Sequence, residues 1–288
     1  MNSRIARFNG QIGTLNLRGL RRAIESGTVI SREGVDLSEI DFVTPGGMVG
    51  LACLIEGWAL ERGPVPLVPP ADEVAGYMVR MDFLEHLESI IALDRSLSHL
   101  KGRSRHPAPL SEIRRVHTSG DVTVVTAQFG KILQGGGVGE AEVQHCCQVL
   151  SECLTNALYH AESPCGAYTA IQKWTKRNEV CVAVADAGLG IPGTIRDLAK
   201  SRGAASADHE LIRMALEPGV SRRSGAGYGG GLDRVLRSVG VGSGRMKIWS
   251  SRGWVESWGV SRNEGEGLSH AFRGTCVEAV FPLQNARV

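Results

Sequence analysis

Five glycines occupy the seven positions from Gly225 to Gly231, directly before a segment whose apolar spacing predicts a helix, Leu232–Val239. The backbone amides of a glycine loop that opens a helix bind anions such as phosphates. A flexible turn without a ligand is the alternative. Because glycine is so dense directly before the helix, the loop favours phosphate binding.

A second pattern lies in the predicted helix Glu140–His160, which carries Glu152 and Asn156 one turn apart on the same face. A carboxylate beside a carboxamide suits a hydrated Mg²⁺, which prefers oxygen ligands. The carboxylate can also deprotonate an attacking nucleophile. Taken alone, such a pair is more typical of a solvated helix face, so its interpretation depends on the other motifs.

An acidic residue ends the predicted buried strand Val180–Ala185. Asp186 is followed by Gly188 and Gly190. A carboxylate in this position can accept a hydrogen bond from an amine, and glycines let the backbone approach a flat ring closely because they have no Cβ. An ordinary glycine turn, in which Asp186 caps a helix, is the alternative.

Two glycine strings also match the dinucleotide-binding pattern GxGxxG, one at residues 188–193 and one at residues 225–230. The first follows a strand that ends in Asp186, and its Pro192 removes one amide donor. The second has no strand directly before it. The P-loop string, GxxxxGK followed by Ser or Thr, does not occur in the sequence. A dinucleotide-binding enzyme is therefore the less favoured alternative.

The order of these motifs resembles that of the GHKL ATPases, the histidine-kinase-like or Bergerat-fold family. An E-x-x-x-N helix, a D-x-G-x-G loop and a G-x-G-x-G-L loop follow one another, and Gly274-Thr275 enters a last predicted strand, Cys276–Phe281. The resemblance covers about Asp121 to Val288. It implies a domain that binds ATP together with Mg²⁺.

The resemblance also implies a role for each motif residue. Asn156 would bind Mg²⁺, and Glu152 would be the general base. Asp186 would accept a hydrogen bond from the adenine amino group, and Thr275 would support adenine through hydroxyl or water contacts. Gly188 and Gly190 would shape the adenine pocket. The phosphates would be wrapped by the residues of the later glycine loop, Gly227, Gly229, Gly231 and Leu232.

The stretch from Ile191 to Ala226 would be a mobile lid over the nucleotide, and most of it is predicted to be irregular. Arg222 and Arg223 could reach the phosphates from this lid. Two neighbouring arginines in such a stretch are, however, more often plain surface charge.

The N-terminal half alternates short predicted strands and helices, as in a small α/β domain. Strands are predicted at Val35–Phe42 and Val65–Val68, and helices at Gly47–Arg62 and Val74–Leu84. Residues 35–87 resemble a STAS domain, the fold of anti-sigma-factor antagonists. The resemblance implies a domain that docks to other proteins rather than one that performs chemistry.

The turn Thr44–Gly47 departs from the STAS pattern. Its sequence, TPGG, aligns with a D-S-S-G turn in which a serine is phosphorylated, and Gly46 takes the place of that serine. A phosphoserine switch is therefore not expected here. A hydroxyl group before proline, as at Thr44, is usually structural.

Together these patterns predict an α/β protein with a two-layer α+β arrangement. A STAS-like α/β domain is predicted at residues 1–100, a basic linker at residues 101–119, and a Bergerat-fold α/β sandwich that binds ATP at residues 120–288. The linker is predicted because Lys101–Arg115 is rich in Lys and Arg, contains two prolines and shows little apolar periodicity.

Charge and cysteine content narrow the functional classes further. The chain has 32 Lys and Arg against 30 Asp and Glu, which is too balanced for general binding to nucleic acid or membranes. The seven cysteines form no CxxC pair, which favours reduced thiols in a cytoplasmic protein. A metal site at His145, Cys146, Cys147 and Cys153 is not favoured, because adjacent helix positions point in different directions.

The predicted function is that of a cytoplasmic signalling regulator. With Glu152 as the base, we expect slow ATP hydrolysis or phosphate transfer to a serine or threonine of a partner protein, as in anti-sigma-factor kinases. A nucleotide-dependent binding switch without turnover is the alternative. Protein partners are expected at the STAS-like domain and at the lid, a homodimer is plausible because many relatives pair, and nucleic-acid or membrane partners are not expected.

Overall fold

The computed structural model describes residues 6–7, 13–25, 34–100, 110–203, 207–220, 231–241, 244–258, 261–267 and 271–283. The N-terminal half forms small elements around one long helix, α2. In chain order they are β1 (Ala6–Arg7), β2 (Thr14–Leu15), α1 (Leu17–Glu25), β3 (Val35–Asp36), β4 (Phe42–Val43), α2 (Pro45–Arg62), β5 (Val65–Val68), α3 (Asp72–Arg80), α4 (Phe83–Leu87) and β6 (Ile91–Leu93).

The C-terminal half has longer strands, and its helices lie between them in the chain. In chain order its elements are β7 (Leu110–Val116), α5 (Ser119–Gly135), α6 (Glu140–Tyr159), β8 (Ala167–Trp174), β9 (Glu179–Asp186), α7 (Gly190–Ser201), α8 (Asp208–Ala215), α9 (Gly231–Val241), β10 (Arg245–Ser251), β11 (Gly253–Trp258), β12 (Ser261–Glu266) and β13 (Phe272–Pro282).

The strands assemble into two main sheets of opposite character. The N-terminal sheet is parallel, with the order β1-β3-β5-β6, and β2 pairs with β4 beside it. The C-terminal sheet is antiparallel, with the order β12-β11-β10-β13-β9-β8-β7. Parallel strands joined by helices in one half and a helix-covered antiparallel sheet in the other confirm the predicted α/β fold class.

Helix α2 is buried on all sides between the two sheets. Every residue from Pro45 to Gly57 is buried. A helix that is apolar around its whole circumference must be covered around its whole circumference. The parallel sheet covers one side of α2, and strands β8, β9 and β13 of the antiparallel sheet cover the other. The two halves therefore share one apolar core, and α5, α6, α7, α8 and α9 pack on the opposite face of the antiparallel sheet.

The start of α2 explains the TPGG sequence. Thr44 caps the helix, accepting a hydrogen bond from the Gly47 amide at 3.3 Å and donating one to Glu278 Oε2 at 3.0 Å. A Cβ atom on Gly46 would overlap the Glu278 carboxylate, and one on Gly47 would overlap the Leu15 carbonyl. The structural role predicted for Thr44 is confirmed, and the two glycines let the helix lie against its neighbours.

Polar contacts also join the two halves. Glu56 of α2 is 7% exposed and accepts hydrogen bonds from Tyr168 Oη at 2.6 Å and from the Arg115 guanidinium. At the other end of the sheet, Arg18 Nε donates to Glu256 Oε1 at 3.1 Å. A buried carboxylate is tolerated only where such partners are in place, so the contacts of Glu56 hold α2, and the contact of Arg18 holds α1, in position on the sheet.

Several elements differ from the sequence predictions. The strand predicted at Val35–Phe42 is two short strands, β3 and β4, with a turn between them. The helix predicted at Val74–Leu84 is two helices, α3 and α4, because the chain reverses at Asp82, whose φ of 57° is left-handed. The segment after Gly190, predicted to be irregular, contains α7 and α8.

The predicted linker differs as well. Its residues 110–116 form β7 at the edge of the antiparallel sheet. Residues 101–109 lie outside the described part. An edge strand accepts polar residues on its open side, and here Ile113 and Val116 are buried while Arg114 is exposed. Because the segment is rich in Lys and Arg, this alternation of buried and exposed residues was not recognised from the sequence. None of the described helices combines the length and the apolar character needed to cross a bilayer.

Replacing Gly47 with alanine tests the packing of α2. We expect Gly47→Ala to lower the free energy of unfolding by roughly 1–3 kcal/mol, because the added methyl group forces α2 away from Leu15. Urea unfolding followed by circular dichroism gives this value.

Gly57→Ala is the matched control in the same helix. A Cβ atom there would lie 3.8 Å from Arg273 Cδ, which is an ordinary contact. The control should therefore be neutral or gain up to about 1 kcal/mol from the higher helix propensity of alanine. Equal effects of the two substitutions would contradict the close packing.

Candidate functional site

A cleft lies on the helical face of the antiparallel sheet, between α6, α7 and the start of α9. It encloses about 780 Å³ of empty space, part of it open to solvent. Six of the residues singled out from the sequence line it: Asn156, Asp186, Gly190, Gly231, Leu232 and Thr275. Gly227, Gly229, Arg222 and Arg223 lie outside the described residues.

Asp186 is the last residue of β9 and lies at the inner end of the cleft. It is 3% exposed, and its Oδ1 accepts a hydrogen bond from the Gly188 amide at 2.9 Å. Burial raises the pKa of Asp186 to about 7, although backbone hydrogen bonds from Gly188 and Thr275 oppose the shift. The side chains that line the cleft are mostly apolar, so this carboxyl group is one of a few polar groups in it.

The D-A-G-L-G loop turns directly after Asp186, and its glycines allow close backbone contacts. A Cβ atom on Gly188 would overlap the Ala161 carbonyl, whose oxygen accepts the Leu189 amide at 2.7 Å. Gly190 has a left-handed φ of 71°, and a Cβ atom there would lie 2.8 Å from the Gly274 oxygen. The loop is therefore held by the end of α6 on one side and by β13 on the other.

Ser250, which the sequence analysis did not single out, ties this loop to the sheet. Its Oγ accepts the Ile191 amide at 2.8 Å, donates to the Gly274 carbonyl at 2.9 Å and shares a hydrogen bond of 2.9 Å with Thr275 Oγ1. A serine near the end of a strand is a weak signal in sequence. Its importance comes from facing Thr275 across β10 and β13.

Glu152 and Asn156 project from α6 toward the first residue of α9. A Cβ atom on Gly231 would lie 2.9 Å from Glu152 Oε2 and 3.3 Å from both side-chain polar atoms of Asn156. Asn156 Nδ2 is buried and has no hydrogen-bond partner among the described residues. Buried polar groups normally have partners, so this amide is an exception at the wall of the cleft.

Arg234, one turn into α9, forms an ion pair with Glu152 that the sequence analysis missed. Its Nη1 donates to Glu152 Oε1. A carboxylate held by a guanidinium is less available to take a proton, so this pair bears directly on a role for Glu152 as a base. The two residues lie 82 positions apart, and no local pattern links them.

A metal ion in this cleft would depend on few protein ligands. Across the described ranges, no three His, Cys, Asp or Glu side chains come together in a way that could hold a metal. A cation would therefore rely on Asn156 and on oxygens from water and a bound ligand. Mg²⁺ is bound in this manner in many phosphate sites.

The outer wall of the cleft comes from the segment predicted to be a lid. Ile191, Thr194 and Ile195 of α7 line the cleft, with Ala215 and Val220 farther along the chain. Asp208, at the start of α8, is held by the Arg196 guanidinium and by the Arg252 amide at 3.0 Å. The described part of the segment thus forms a packed wall, and residues 204–206 and 221–226 lie outside the described part.

Residues 141–285 match the protein family described as "Histidine kinase-, DNA gyrase B-, and HSP90-like ATPase". The match covers about half of the chain and contains all three motifs of the cleft. Both glycine strings that fit the dinucleotide pattern fall within it, so they belong to an ATPase domain. No curated protein matches the chain.

The raised pKa of Asp186 predicts a pH-dependent stability. A carboxyl group whose pKa rises from 3.8 to about 7 on folding favours the folded state while it is protonated. This contribution is complete below pH 4 and is lost as the pH rises to about 7. Asp186→Asn, which stays neutral, should therefore be more stable than the wild type at pH 8 by roughly 1–4 kcal/mol. At pH 5 the difference should be smaller.

Asp208→Asn is the control, and its expected change in stability has the opposite sign. The stabilities of both variants are measured by urea unfolding at pH 5 and pH 8. Burial acts to raise the pKa of Asp208, but hydrogen bonds from Arg252, Ser251 and Arg196 outweigh burial and lower it. The ionised form therefore stabilises the fold, and the variant should lose stability at both pH values. A loss of stability in Asp186→Asn that is equal at pH 5 and pH 8 would contradict the assignment.

Proposed function

This chain belongs to the histidine kinase-, DNA gyrase B-, and HSP90-like ATPases, and we propose that it is a signalling ATPase or Ser/Thr kinase that a protein partner controls. Binding of ATP follows from the family. The observation that carries the proposal is the convergence of Glu152 and Asn156 on the start of α9. This arrangement brings a candidate base next to Gly231, the first residue of α9, and a helix N terminus is a place where phosphates bind.

The cleft fits ATP at both of its ends. At the inner end, the buried carboxyl group of Asp186 can accept a hydrogen bond from the adenine amino group, and the surrounding apolar side chains suit a flat ring. At the outer end, Asn156 would offer its Oδ1 to Mg²⁺ and its unpartnered Nδ2 to a phosphate oxygen. When bound, ATP with Mg²⁺ supplies the γ-phosphoryl group and a cation that offsets its charge.

In the proposed mechanism, Glu152 removes the proton from the attacking hydroxyl group. That group belongs to water in hydrolysis, or to a serine or threonine of the partner in phosphotransfer. Its oxygen forms a bond to the γ-phosphorus, the bond from phosphorus to the ADP oxygen breaks, and the proton resides on Glu152. Glu152 must first leave Arg234, whose freed guanidinium can then face the phosphate charge.

The Arg234–Glu152 pair also supports the second candidate, a binding switch with little turnover. While the pair is intact, the carboxylate is engaged and the protein would hold ATP without cleaving it. Release of the pair by a bound partner would then start catalysis. We favour the regulated enzyme, because a pure switch has no need of a carboxylate at this position.

The N-terminal half is proposed to be the STAS-like docking module at residues 1–100. The TPGG turn at the start of its helix α2 is buried against Glu278 and so is covered by the chain's own sheet. Partner proteins would therefore bind at other surfaces of this half and at the cleft wall formed by α7 and α8. A homodimer remains part of the proposal.

Replacing Glu152 tests the proposed chemistry. The purified protein and Glu152→Gln are incubated with Mg²⁺ and γ-labelled ATP, alone and with cell extract. In the wild type we expect label as free phosphate or on a protein band, and in the variant a loss of roughly 100-fold or more, because the base is gone. ATP binding, measured by calorimetry, should persist in both.

Glu142→Gln, a change in the first turn of α6, serves as the control and should keep wild-type turnover. Asn156→Ala should instead weaken binding of ATP with Mg²⁺. Tight ATP binding without any turnover in the wild type would favour the switch. A wild-type protein that does not bind ATP would show that the proposal is wrong.

Arg234→Gln tests whether the ion pair restrains Glu152. The Arg234 side chain is 41% exposed, so the pair restrains Glu152 by roughly 0.5–1 kcal/mol. Its removal should therefore raise ATP hydrolysis in the absence of a partner by about two- to fivefold. The affinity for ATP should change little. Arg234→Lys keeps the charge and should stay closer to the wild type. A fall in turnover at unchanged ATP affinity would contradict the restraint and give Arg234 a role in stabilising phosphate charge.

A further inference from the structure

A second cleft lies on the opposite face of the antiparallel sheet, in the seam between the two halves. It encloses about 1620 Å³ of empty space, including open solvent. Its floor is formed by β8, β10 and β13. Its walls are β2 and β4 on one side, the end of α3 on another, and the turn Thr175–Arg177 on a third.

The floor of this cleft changes character along the strands. Under α2, the face is apolar, with Tyr168 and Ala170 on β8 and Cys276 on β13. Residues two positions apart in a strand point to the same face. Farther along these two strands, that face carries Gln172 and Glu278, and β10 contributes Arg245 and Lys247. A sheet face that becomes polar beyond the helix that covers it, here α2, is suited to contact with water or with a polar ligand.

The cleft carries an excess of positive charge. Two of its cations are paired: Arg245 forms two hydrogen bonds with Glu179, at 2.6 and 2.9 Å, and Lys247 Nζ lies 3.4 Å from Glu278 Oε1. Lys173 Nζ donates to the Gly136 carbonyl on the other face of the sheet. The other lining cations have no carboxylate within salt-bridge distance in the described part of the chain: Arg80, Lys176 and Arg177.

Aromatic groups line the same cleft. The indole Nε1 of Trp174 is buried and lacks a hydrogen-bond partner among the described residues, and the Arg177 guanidinium lies over its ring, 5.7 Å from the centroid. Tyr77 Oη donates to Gln172 Oε1 at 3.1 Å. Phe42 is 50% exposed at the rim. Flat apolar surfaces therefore lie beside the cations that form no salt bridge.

We propose that this cleft binds a phosphorylated small molecule, held by Arg80, Lys176 and Arg177. Guanidinium groups bind phosphate oxygens in pairs, and three cations that form no salt bridge match the charge of one or two phosphate groups. Walls on three sides suit a compact ligand better than an extended acidic peptide. The site is separate from the nucleotide cleft, because Glu179 and Asp186 lie at opposite ends of β9.

The test uses the full chain and fructose 1,6-bisphosphate as the probe, followed by calorimetry and by tryptophan fluorescence. We expect saturable binding that weakens with added salt and changes the fluorescence of Trp174. The double variant Arg80→Gln and Arg177→Gln should bind the probe at least about tenfold more weakly, because two charge-assisted contacts are lost. Urea unfolding checks that the variant is folded.

The matched control replaces Lys131 and Arg202 with glutamine, since both are exposed and neither lines the cleft. It should bind the probe as the wild type does. Asn156→Ala should also bind normally, so a failure of the nucleotide site would not affect this result. Trp174→Phe should remove the fluorescence change while calorimetry still detects binding.

Three results would overturn the proposal. The wild type could fail to bind the bisphosphate at millimolar concentration, or the cleft variant could bind it as tightly as the control does. A hexaglutamate peptide could bind at Arg80 and Arg177 where the bisphosphate does not, and the ligand would then be an acidic segment of a protein.

Discussion

Everything in this fold depends on the burial of α2 between two sheets. Its residues from Pro45 to Gly57 have no solvent-facing side. Separating α2 from either sheet would therefore expose apolar surface to water. Small residues at its start bring it close to β13, where Cys276 Sγ lies 3.7 Å from the Gly46 carbonyl oxygen. Buried polar partners, such as Tyr168 with Glu56, then allow only one position of the helix on the sheet.

The two faces of the antiparallel sheet consequently have different roles. Strands β9 and β13 pack against α2 on one face, and on the other face they contribute Asp186 and Thr275 to the nucleotide cleft. A change in how the N-terminal half packs would therefore act on the strands that carry Asp186 and Thr275, the residues proposed to bind adenine. This arrangement gives a physical route by which a partner of the N-terminal half could alter nucleotide binding.

The nucleotide cleft joins two electrostatic environments. At its inner end, Asp186 is isolated from water and from cations, so its carboxyl group is neutral more readily than an ordinary aspartate. At its outer end, Glu152 is paired with Arg234 beside the start of α9. The inner carboxyl group suits recognition of an uncharged amine, whereas the outer pair suits a site that handles phosphate charge and a moving proton.

The chemistry of the motifs could be read from the sequence, because it depends on local spacing. Glu152 and Asn156 lie one turn apart in any helix, and Asp186 with its glycines needs only a strand and a tight turn. The surroundings of these residues could not be read in this way. The pairing of Arg234 with Glu152, the contact of Ser250 with Thr275 and the burial of α2 all join distant segments. The amino-acid order therefore determined which groups the site contains, and tertiary packing decided their charge, their partners and their access to water.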